Sequence, residues 1–340
     1  MPNSTSVSKS KITIIGSGSW GSALALLYAS NGFDVTLWSH NAAHINDLVT
    51  DKENKRYLAG IKFPDNIQAT SNLTAALMDL QYLLVVVPSH AFRETLLKIK
   101  PLISSEQKLI WATKGLEKGS CKFLLDVAIE VLGANRSYSL LSGPNFAKEI
   151  AIGLPSAITV ASSDTAFAAE IANSIQNSYM RAYTSDDMLG VQLGGAIKNV
   201  LAVAAGITDG LGFGANSRSA LITRGLHEMM RLGVSFGAQK ETLMGLSGLG
   251  DLILTCTDDQ SRNRRLGLAI GQGKSIATAC EEIGQVVEGI NTAAEVYRLA
   301  QQKHIDMPIA QQVYQVLHHQ LDPKTAVQSL LMRDLKAEID

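Results

Sequence analysis

The sequence has little of what several classes of protein require. It contains only three cysteines, Cys121, Cys256 and Cys280, and no CxxC pair, which argues against a disulfide framework or a zinc site and favours a reducing compartment. The seven histidines form no HExxH-type pair, so we expect no metal ion. The formal net charge is -1, and a nearly neutral chain predicts no broad attraction to nucleic acid or to an anionic membrane.

Long apolar runs are also missing. The first ten residues, MPNSTSVSKS, are polar and lack the apolar core of a signal peptide. The longest apolar runs have the length of a strand, such as YLLVVV at 82–87. The region 189–207 is fairly apolar but contains Gln192, Lys198 and Asn199, which predicts a buried helix instead of a membrane span. We therefore expect a cytoplasmic protein without a membrane span.

The chain is rich in alternating apolar runs and helical periods. Its 340 residues are enough for two domains. Six apolar runs predict strands: Lys11–Gly16, Asp34–Ser39, Tyr82–Pro88, Lys108–Thr113, Ser137–Leu141 and Ala157–Ser162. They alternate with helical segments, which predicts a Rossmann-like, doubly wound parallel sheet over residues 11–188. Only helical periods follow, so residues 189–340 are predicted to form an all-α domain. Its predicted helices are Gly190–Ile207, Ser217–Phe236, Lys240–Leu246, Arg262–Gly271, Ser275–Glu282, Thr292–Lys303, Pro308–Leu317 and Lys324–Met332.

A glycine-rich turn joins the first predicted strand to the first predicted helix. Gly16, Gly18 and Gly21 form the pattern GxGxxG. In this context the first glycine permits a tight turn, the second lets the backbone approach a pyrophosphate, and the third lets helix and strand pack closely. The helix N-terminus then offers free N–H groups to the phosphates. The pattern predicts a dinucleotide site, and the alternative is a plain glycine-rich turn.

The second predicted strand ends at Ser39 and His40. NAD-selective sites usually carry an acidic residue at this point, which binds the ribose 2′-hydroxyl. Its absence removes repulsion against a 2′-phosphate, and this favours NADP, or the use of both NADP and NAD. The alternative is that Ser39 and His40 are simply exposed loop residues.

Seven sequence blocks then carry a resemblance to a known family. They are GSGSWGSALA, ATKGLE, SGPNFAKEI, GGAIKNVLA, SGLGDLILTC, SRNRRLG and VVEG, in this order. From about residue 11 to residue 330 the chain resembles the NAD(P)-dependent glycerol-3-phosphate dehydrogenases of the bacterial soluble type. The resemblance implies reversible reduction of dihydroxyacetone phosphate to sn-glycerol 3-phosphate for phospholipid synthesis. It also implies an NAD(P)-binding first domain, a substrate-binding and catalytic second domain, a small-molecule substrate and a possible homodimer.

The resemblance, together with the position of the SGPN segment after a predicted strand, assigns site residues. The cofactor-binding residues would be Gly16, Gly18, Ser19, Trp20, Gly21, His40, Lys114, Ala147, Arg262, Val286 and Glu288. The substrate-binding residues would be Lys114, Gly143, Asn145, Lys198, Asn199, Asp251, Thr255, Ser261, Arg262 and Asn263. Lys198, Asp251 and Lys114 would be catalytic. Family members often carry arginine where this chain has His40, which argues against a strong preference for NADP.

Lys198 has the surroundings that acid–base catalysis requires. Reduction of a ketone forms an alkoxide that must take up a proton, so the site needs a general acid. Lys198 lies within GGAIKNVLAVAAG, where burial would lower its pKa towards neutral pH. The alternative is a surface lysine whose ammonium reaches water. Lys114 follows a predicted strand, at the edge of the sheet where ligands bind in such folds, although it would equally suit a solvent-facing loop.

Two further segments supply charge. Asp251 either orients Lys198 or caps a helix after Gly250. Ser261 is a predicted helix cap, and Arg262 in the first turn opposes the positive end of the helix dipole. An arginine in that position makes more physical sense with a bound phosphate, and the alternative is a solvated basic cluster.

Two other functions fit parts of the same pattern. A 3-hydroxyacid dehydrogenase can share the two-domain plan and a lysine on a helix, but its substrate would offer a carboxylate in place of a phosphate. A non-catalytic nucleotide sensor would bind the cofactor without turnover, and it would leave Lys198, Asp251 and the SRN segment unexplained.

Overall fold

The computed structural model describes residues 10–335, 337 and 338. The polar first ten residues, predicted to lack a signal peptide, lie outside this range except for Ser10. The chain forms two compact units. One ends at Thr113 and resumes over Leu125–Met188, and the other comprises Lys114–Leu124 and the residues from Leu189 onward. The predicted boundary between 188 and 189 assigns residues 114–124 to the first domain, whereas the structure groups them with the second unit.

The first unit is built on one eight-stranded sheet. Its strands are β1 Lys11–Ile15, β2 Asp34–Trp38, β3 Ile67–Thr70, β4 Tyr82–Val85, β5 Leu109–Trp111, β6 Tyr138–Ser142, β7 Ser156–Ala161 and β8 Met180–Ser185. Their order across the sheet is β3-β2-β1-β4-β5-β6-β7-β8. Ile14, Leu84 and Ile110, on three adjacent strands, are fully buried, as expected for a sheet covered by helices on both faces. The predicted Rossmann-like architecture is confirmed.

The sheet differs from the prediction in one pairing and two strands. All neighbouring strands are parallel except β6 and β7, which are antiparallel. The helix between them spans only Ala147–Ala151, which is too short for a parallel crossover along the sheet. Strands β3 and β8 were not predicted, because both are edge strands of mixed burial without a continuous apolar run.

Seven α-helices and the first residue of an eighth accompany this sheet in the described part of the chain, and several of them are short. They are α1 Ser19–Ser30, α2 Ala42–Asp51, α3 Leu73–Ala76, α4 Phe92–Ile99, α5 Leu124–Leu132, α6 Ala147–Ala151, α7 Thr165–Ile175 and the first residue of α8 Met188–Gly210. In α1, Ala23, Leu24 and Leu27 are fully buried. The helix that follows the glycine-rich turn is therefore held firmly by the core of its own unit.

The second unit is helical, as predicted. Besides α8 it contains α9 Ala215–Ser235, α10 Lys240–Met244, α11 Asp251–Thr257, α12 Arg262–Gly271, α13 Ile276–Ile283, α14 Glu288–Lys303, α15 Pro308–His319 and α16 Pro323–Leu331. Within the described part of the chain, α8 alone is long and apolar enough to cross a membrane, and 89% of its most apolar window is buried in the protein. Val200, Leu201 and Val203 of this helix are fully buried, so α8 is the central core helix of the unit.

Glycines allow α8 and α12 to pack closely. A Cβ atom added to Gly206 would overlap the carbonyl of Arg264, and one added to Gly267 would overlap the carbonyl of Val203. Such backbone contacts are possible only without side chains at these positions. The start of α12, which carries the predicted phosphate-binding residues, is therefore held directly against the helix of Lys198.

The predicted helices do not include α11, and only the alternative role of Asp251 as a helix cap after Gly250 points to it. This helix continues from a π-helical turn, Leu246–Gly250, whose sequence LSGLG contains two glycines. Glycine has low helix propensity, so the segment has no recognisable helical period. The consequence matters for the site, because Asp251 is the first residue of α11.

Candidate functional site

The glycine-rich turn of the first unit has the geometry of a phosphate cradle. Gly16 has φ +120°, and a Cβ atom added there would overlap the carbonyl of Val86. A Cβ atom on Gly21 would overlap the carbonyl of Gly16, whereas one on Gly18 would have no atom within 4 Å apart from those of its chain neighbours. Two glycines thus serve internal packing, and the third leaves open space beside the backbone. This division matches the three glycine roles expected of a dinucleotide site.

Side chains distant in sequence hold this turn in place. The carbonyl oxygen of Ser17 accepts a hydrogen bond of 2.8 Å from Asn54 Nδ2, and Ser19 Oγ donates to the carbonyl of Tyr57 at 2.8 Å. Helix α1 has no side-chain cap at Gly18, so its first-turn N–H groups suit an anion. Sequence reasoning missed the anchors at 54 and 57, since no local spacing links them to the turn.

Trp20 in the first turn of α1 and His40 after β2 are the next predicted cofactor-binding residues. The indole Nε1 of Trp20 is buried and has no hydrogen-bond partner within the described residues, which leaves a donor for a ligand. His40 follows β2 and is exposed. A hydrogen bond from Lys98 chiefly lowers the pKa of Glu94, and His40 contributes to the same shift. His40 therefore has an acidic neighbour, Glu94, which belongs to α4 and not to the end of β2.

The segment after β6 brings three predicted residues together. Gly143 has φ +153°, and its added Cβ would lie 3.1 Å from the carbonyl oxygen of Ala157. The same oxygen accepts a hydrogen bond of 2.9 Å from Asn145 Nδ2. The Asn145 Oδ1 atom is buried and unpaired within the described part of the chain, and Ala147 begins α6. A fixed amide with a free acceptor is suited to binding a ligand hydroxyl or amide.

In the second unit, Asp251 binds two lysines at once. Lys198 Nζ donates to its Oδ1 at 2.5 Å, and Lys114 Nζ donates to its Oδ2 at 2.6 Å. The Asp251 side chain is 1% exposed, against 11% for Lys198 and 17% for Lys114. The three residues predicted to be catalytic thus form one cluster, although they lie on a loop and two separate helices.

Burial shifts the pKa of Lys198, and the charges of the cluster modify that shift. Burial lowers the pKa of Lys198 to about 8, the charge of Asp251 opposes this shift, and the charge of Lys114 adds to it. The result is an ammonium that can lose and regain its proton near neutral pH. Such a group is suited to general acid–base chemistry.

A glycine on α8 sets the distance between Lys198 and Asp251. Gly194 lies one turn before Lys198, and a Cβ atom there would come 2.5 Å from the carbonyl oxygen of Ser247. Ser247 belongs to the π-helical turn that leads into α11. Close approach of α8 to this turn therefore brings the lysine within hydrogen-bond distance of the aspartate.

Four further predicted residues are joined by hydrogen bonds at the start of α12. Ser261 caps the helix by accepting from the N–H of Arg264 at 3.2 Å, and its hydroxyl lies 2.8 Å from that of Thr255. Asn263 Nδ2 donates to Asn199 Oδ1 at 2.8 Å, and the N–H of Gly289 donates to Asn263 Oδ1. These bonds connect α8, α12 and α14 around one buried amide pair.

The charged residues of this region have different surroundings. Arg262 is half-buried, and burial lowers its pKa while Glu288 opposes that shift. Arg264 instead donates to Asp209 at 2.6 Å and to the carbonyl of Cys256, which is a structural role that sequence reasoning missed. Cys256 is fully buried, and burial raises the pKa of its thiol to about 12, so it is a packing residue.

The last two predicted residues lie just before α14 and at its first position. Val286 is 41% exposed, and Glu288 is the first residue of the helix. The unit therefore presents Arg262, Glu288 and the Asp251 cluster as its main charged groups among the predicted site residues.

Comparison with known proteins gives consistent matches along the chain. The family model for the N-terminal part of NAD-dependent glycerol-3-phosphate dehydrogenase matches residues 11–168, and that for the C-terminal part matches residues 187–328. The chain is 52% identical over 328 residues to glycerol-3-phosphate dehydrogenase (NAD(P)+) of Vibrio campbellii, covering 96% of this chain and 95% of the relative. It is 51% identical over 334 residues to the enzyme of that name from Pseudoalteromonas translucida, covering 98% and 100%. The crystal structure of glycerol-3-phosphate dehydrogenase from Coxiella burnetii matches with a TM-score of 0.93 and 46% identity, over 96% of this chain and 99% of that one.

Proposed function

The chain belongs to the NAD-dependent glycerol-3-phosphate dehydrogenase family, and from this premise we propose how its residues carry out the family reaction. That reaction is the reversible, NAD(P)-dependent reduction of dihydroxyacetone phosphate to sn-glycerol 3-phosphate. The observation that carries the proposal is the pair of short contacts from Lys198 and Lys114 to the two oxygens of Asp251.

Lys198 is the proposed general acid. When bound, the reduced cofactor supplies a hydride to the central carbon of the ketone. The developing alkoxide then needs a proton, and the ammonium of Lys198, with its pKa lowered to about 8 by burial, can donate it. In the oxidative direction the neutral amine accepts the proton of the substrate hydroxyl.

Asp251 and Lys114 prepare Lys198 for this role. The carboxylate of Asp251 fixes the lysine amine by a hydrogen bond, and its negative charge limits the fall in pKa that burial causes. Lys114 places a second positive charge beside the same carboxylate. This positive charge can stabilise the substrate oxygen as negative charge develops on that oxygen. Both residues are also proposed to contact the substrate.

Arg262 is the proposed anchor for the substrate phosphate. A guanidinium can bind a phosphate through two parallel hydrogen bonds, and the start of α12 adds N–H donors. Thr255, Ser261, Asn263 and Asn199 would shape this pocket through the hydrogen bonds that join them. Gly143 and Asn145 are further proposed substrate-binding residues.

The glycine-rich turn fits the cofactor. Open space beside Gly18 and the unpaired indole N–H of Trp20 support a pyrophosphate there, with Ser19, Gly16 and Gly21 forming the turn. We assign His40, Lys114, Ala147, Arg262, Val286 and Glu288 to the remaining cofactor contacts. The first unit would then be the NAD(P)-binding domain, and the second the substrate-binding and catalytic domain.

The setting of the reaction is also inferred. Three free cysteines support a reducing, cytoplasmic location, where the product would supply phospholipid synthesis. The family resemblance supports a homodimer.

The test is the pH dependence of both reaction directions. Reduction needs protonated Lys198, so its rate should fall as pH rises above about 8, and oxidation should fall as pH drops below about 8. Purified protein is assayed with dihydroxyacetone phosphate and with sn-glycerol 3-phosphate, using NADPH and NADH or their oxidised forms. A panel of 3-oxoacids serves as the control substrates. The proposal would be overturned if the rates of reduction and oxidation changed with pH in the same direction. Faster turnover of a 3-oxoacid than of dihydroxyacetone phosphate would also overturn it.

A further inference from the structure

The loop that carries Lys114 has an unusual conformation. Residues 114–123 form neither helix nor strand, and 118–120 form a turn. Gly119 has φ +87° and Cys121 has φ +61°, the latter being a costly value for a residue with a side chain. Leu116 and Cys121 are buried in the core of the second unit. A loop of this kind keeps one conformation only when its surroundings hold it.

A buried carboxylate on α14 holds the tip of this loop. Glu295 is 2% exposed, and its Oε1 accepts a hydrogen bond of 3.0 Å from the N–H of Gly119. Its Oε2 accepts from the thiol of Cys121 at 2.8 Å. Arg298 donates to both oxygens at 2.9 Å, which balances the buried charge. Glu295 therefore binds directly to two of the three loop residues with positive φ, the third being Gly115.

The same loop is fixed at its start by the Lys114–Asp251 contact. Gly119 follows Lys114 by five positions and lies inside the turn 117–122. The N–H of Cys121 donates to the carbonyl of Glu117, and the N–H of Glu117 donates to the carbonyl of Lys122, which closes this turn. We propose that Glu295 is a positioning residue, which holds the 114–124 loop so that the Lys114 ammonium stays on Asp251. This inference rests on the proposed function, because it concerns the environment of the general acid.

Lys198 reports whether Lys114 is in place. The charged and titratable groups that act on Lys198 are Asp251, Lys114 and Cys256, and the positive charge of Lys114 lowers the pKa of Lys198. If the loop loosens, Lys114 spends less time beside Asp251, so the pKa of Lys198 rises. General destabilisation of the unit would reduce activity without moving this pKa.

The experiment compares the pH profile of kcat for dihydroxyacetone phosphate reduction in five proteins. They are the wild type, Glu295→Ala, the milder Glu295→Gln, Lys114→Ala and the double variant Glu295→Ala/Lys114→Ala. Glu295→Ala should lower kcat about tenfold through misplacement of a catalytic group. It should also raise, by about 0.5–1 pH unit, the pH at which the reduction rate falls to half, called the reduction limb below. In the Lys114→Ala background, Glu295→Ala should not move the reduction limb further, because the Lys114 ammonium that lowers the pKa of Lys198 is already absent.

Glu228→Ala is the matched control. Glu228 is another buried glutamate of this unit, 1% exposed, and it accepts from the N–H groups of Ile309 and Ala310 at the start of α15. Its loss should lower the melting temperature and leave the limb where it is. An unmoved limb in both Glu295 variants, or a shift that persists without Lys114, would overturn the inference alone. A wild-type enzyme with no such limb would overturn the proposed function as well.

Discussion

The two units present their predicted binding groups in different ways. In the first unit the groups are mainly backbone, shaped by three glycines within six residues. In the second unit they are side chains, and the Asp251 cluster joins residues that lie 53 and 137 positions apart in sequence. Ligand binding by a backbone site should be impaired by substitutions that add atoms, such as glycine to alanine. The function of a side-chain site should be impaired by substitutions that remove atoms, such as lysine to alanine.

This difference follows from the chemistry proposed for each unit. A pyrophosphate requires several N–H donors and close approach, which a turn without side chains provides. Proton transfer requires an ionisable group with a shifted pKa, which needs burial and neighbouring charges. Substitutions in the two units should therefore fail in different measurements.

Lys198→Ala is expected to have the largest effect. Loss of a general acid typically reduces turnover by about 10² to 10⁴-fold, while the glycine-rich turn keeps its cofactor contacts. We expect the fall in kcat in steady-state assays and unchanged NADPH affinity in a fluorescence titration. If turnover survives at a tenth of wild type or more, Lys198 is not the acid, and the contrast between the units loses its basis.

Arg262→Ala should weaken substrate binding and leave proton transfer unchanged. A hydrogen bond to a charged group contributes about 1.5–3 kcal/mol, so we expect kcat/KM for dihydroxyacetone phosphate to fall correspondingly. Arg264→Ala is the informative comparison, because Arg264 binds Asp209 and its loss should lower the melting temperature instead. An unchanged KM in Arg262→Ala would reject Arg262 as the phosphate anchor.

The sequence predicted the backbone site better than the side-chain geometry. The glycine pattern is local, so its position between β1 and α1 followed from spacing alone. Helix α12 was predicted with its observed bounds, Arg262–Gly271, because its cap and its period lie within one segment. The family resemblance, and not spacing, named Lys114, Lys198 and Asp251 together.

What the sequence missed was in each case non-local or irregular. The Asn54 and Tyr57 anchors reach the glycine-rich turn across 37 and 38 positions. The antiparallel β7 depends on the length of a five-residue helix, and α11 follows a glycine-rich π-helical turn. Neither hydrophobic periodicity nor cap signals report such features.

Two glycine substitutions sharpen the comparison within the first unit. Gly21→Ala places a methyl group against the carbonyl of Gly16 and should cost about 1–3 kcal/mol of folding stability, as overpacking does. The methyl group of Gly18→Ala has no atom within 4 Å apart from those of its chain neighbours, so this variant's free energy of unfolding should change by less than about 0.5 kcal/mol. Its cofactor affinity should fall, because the methyl group occupies the space proposed for the pyrophosphate. Urea unfolding and NADPH titration measure the two quantities, and normal affinity in Gly18→Ala would remove the turn from the cofactor site.

His40→Asp should have the smallest effect on the reaction itself, since it changes the choice of cofactor and not the chemistry. A carboxylate after β2 can accept a hydrogen bond from the ribose 2′-hydroxyl and repels a 2′-phosphate. We expect the ratio of kcat/KM for NADPH to that for NADH to fall about tenfold, which corresponds to 1.4 kcal/mol. Glu94→Gln removes the acidic neighbour of His40 and should move the ratio in the opposite direction, because less negative charge then faces the 2′-phosphate. Equal losses with both cofactors would place His40 outside the 2′ site, and the backbone of the glycine-rich turn would then bind the dinucleotide without a side chain that distinguishes its two forms.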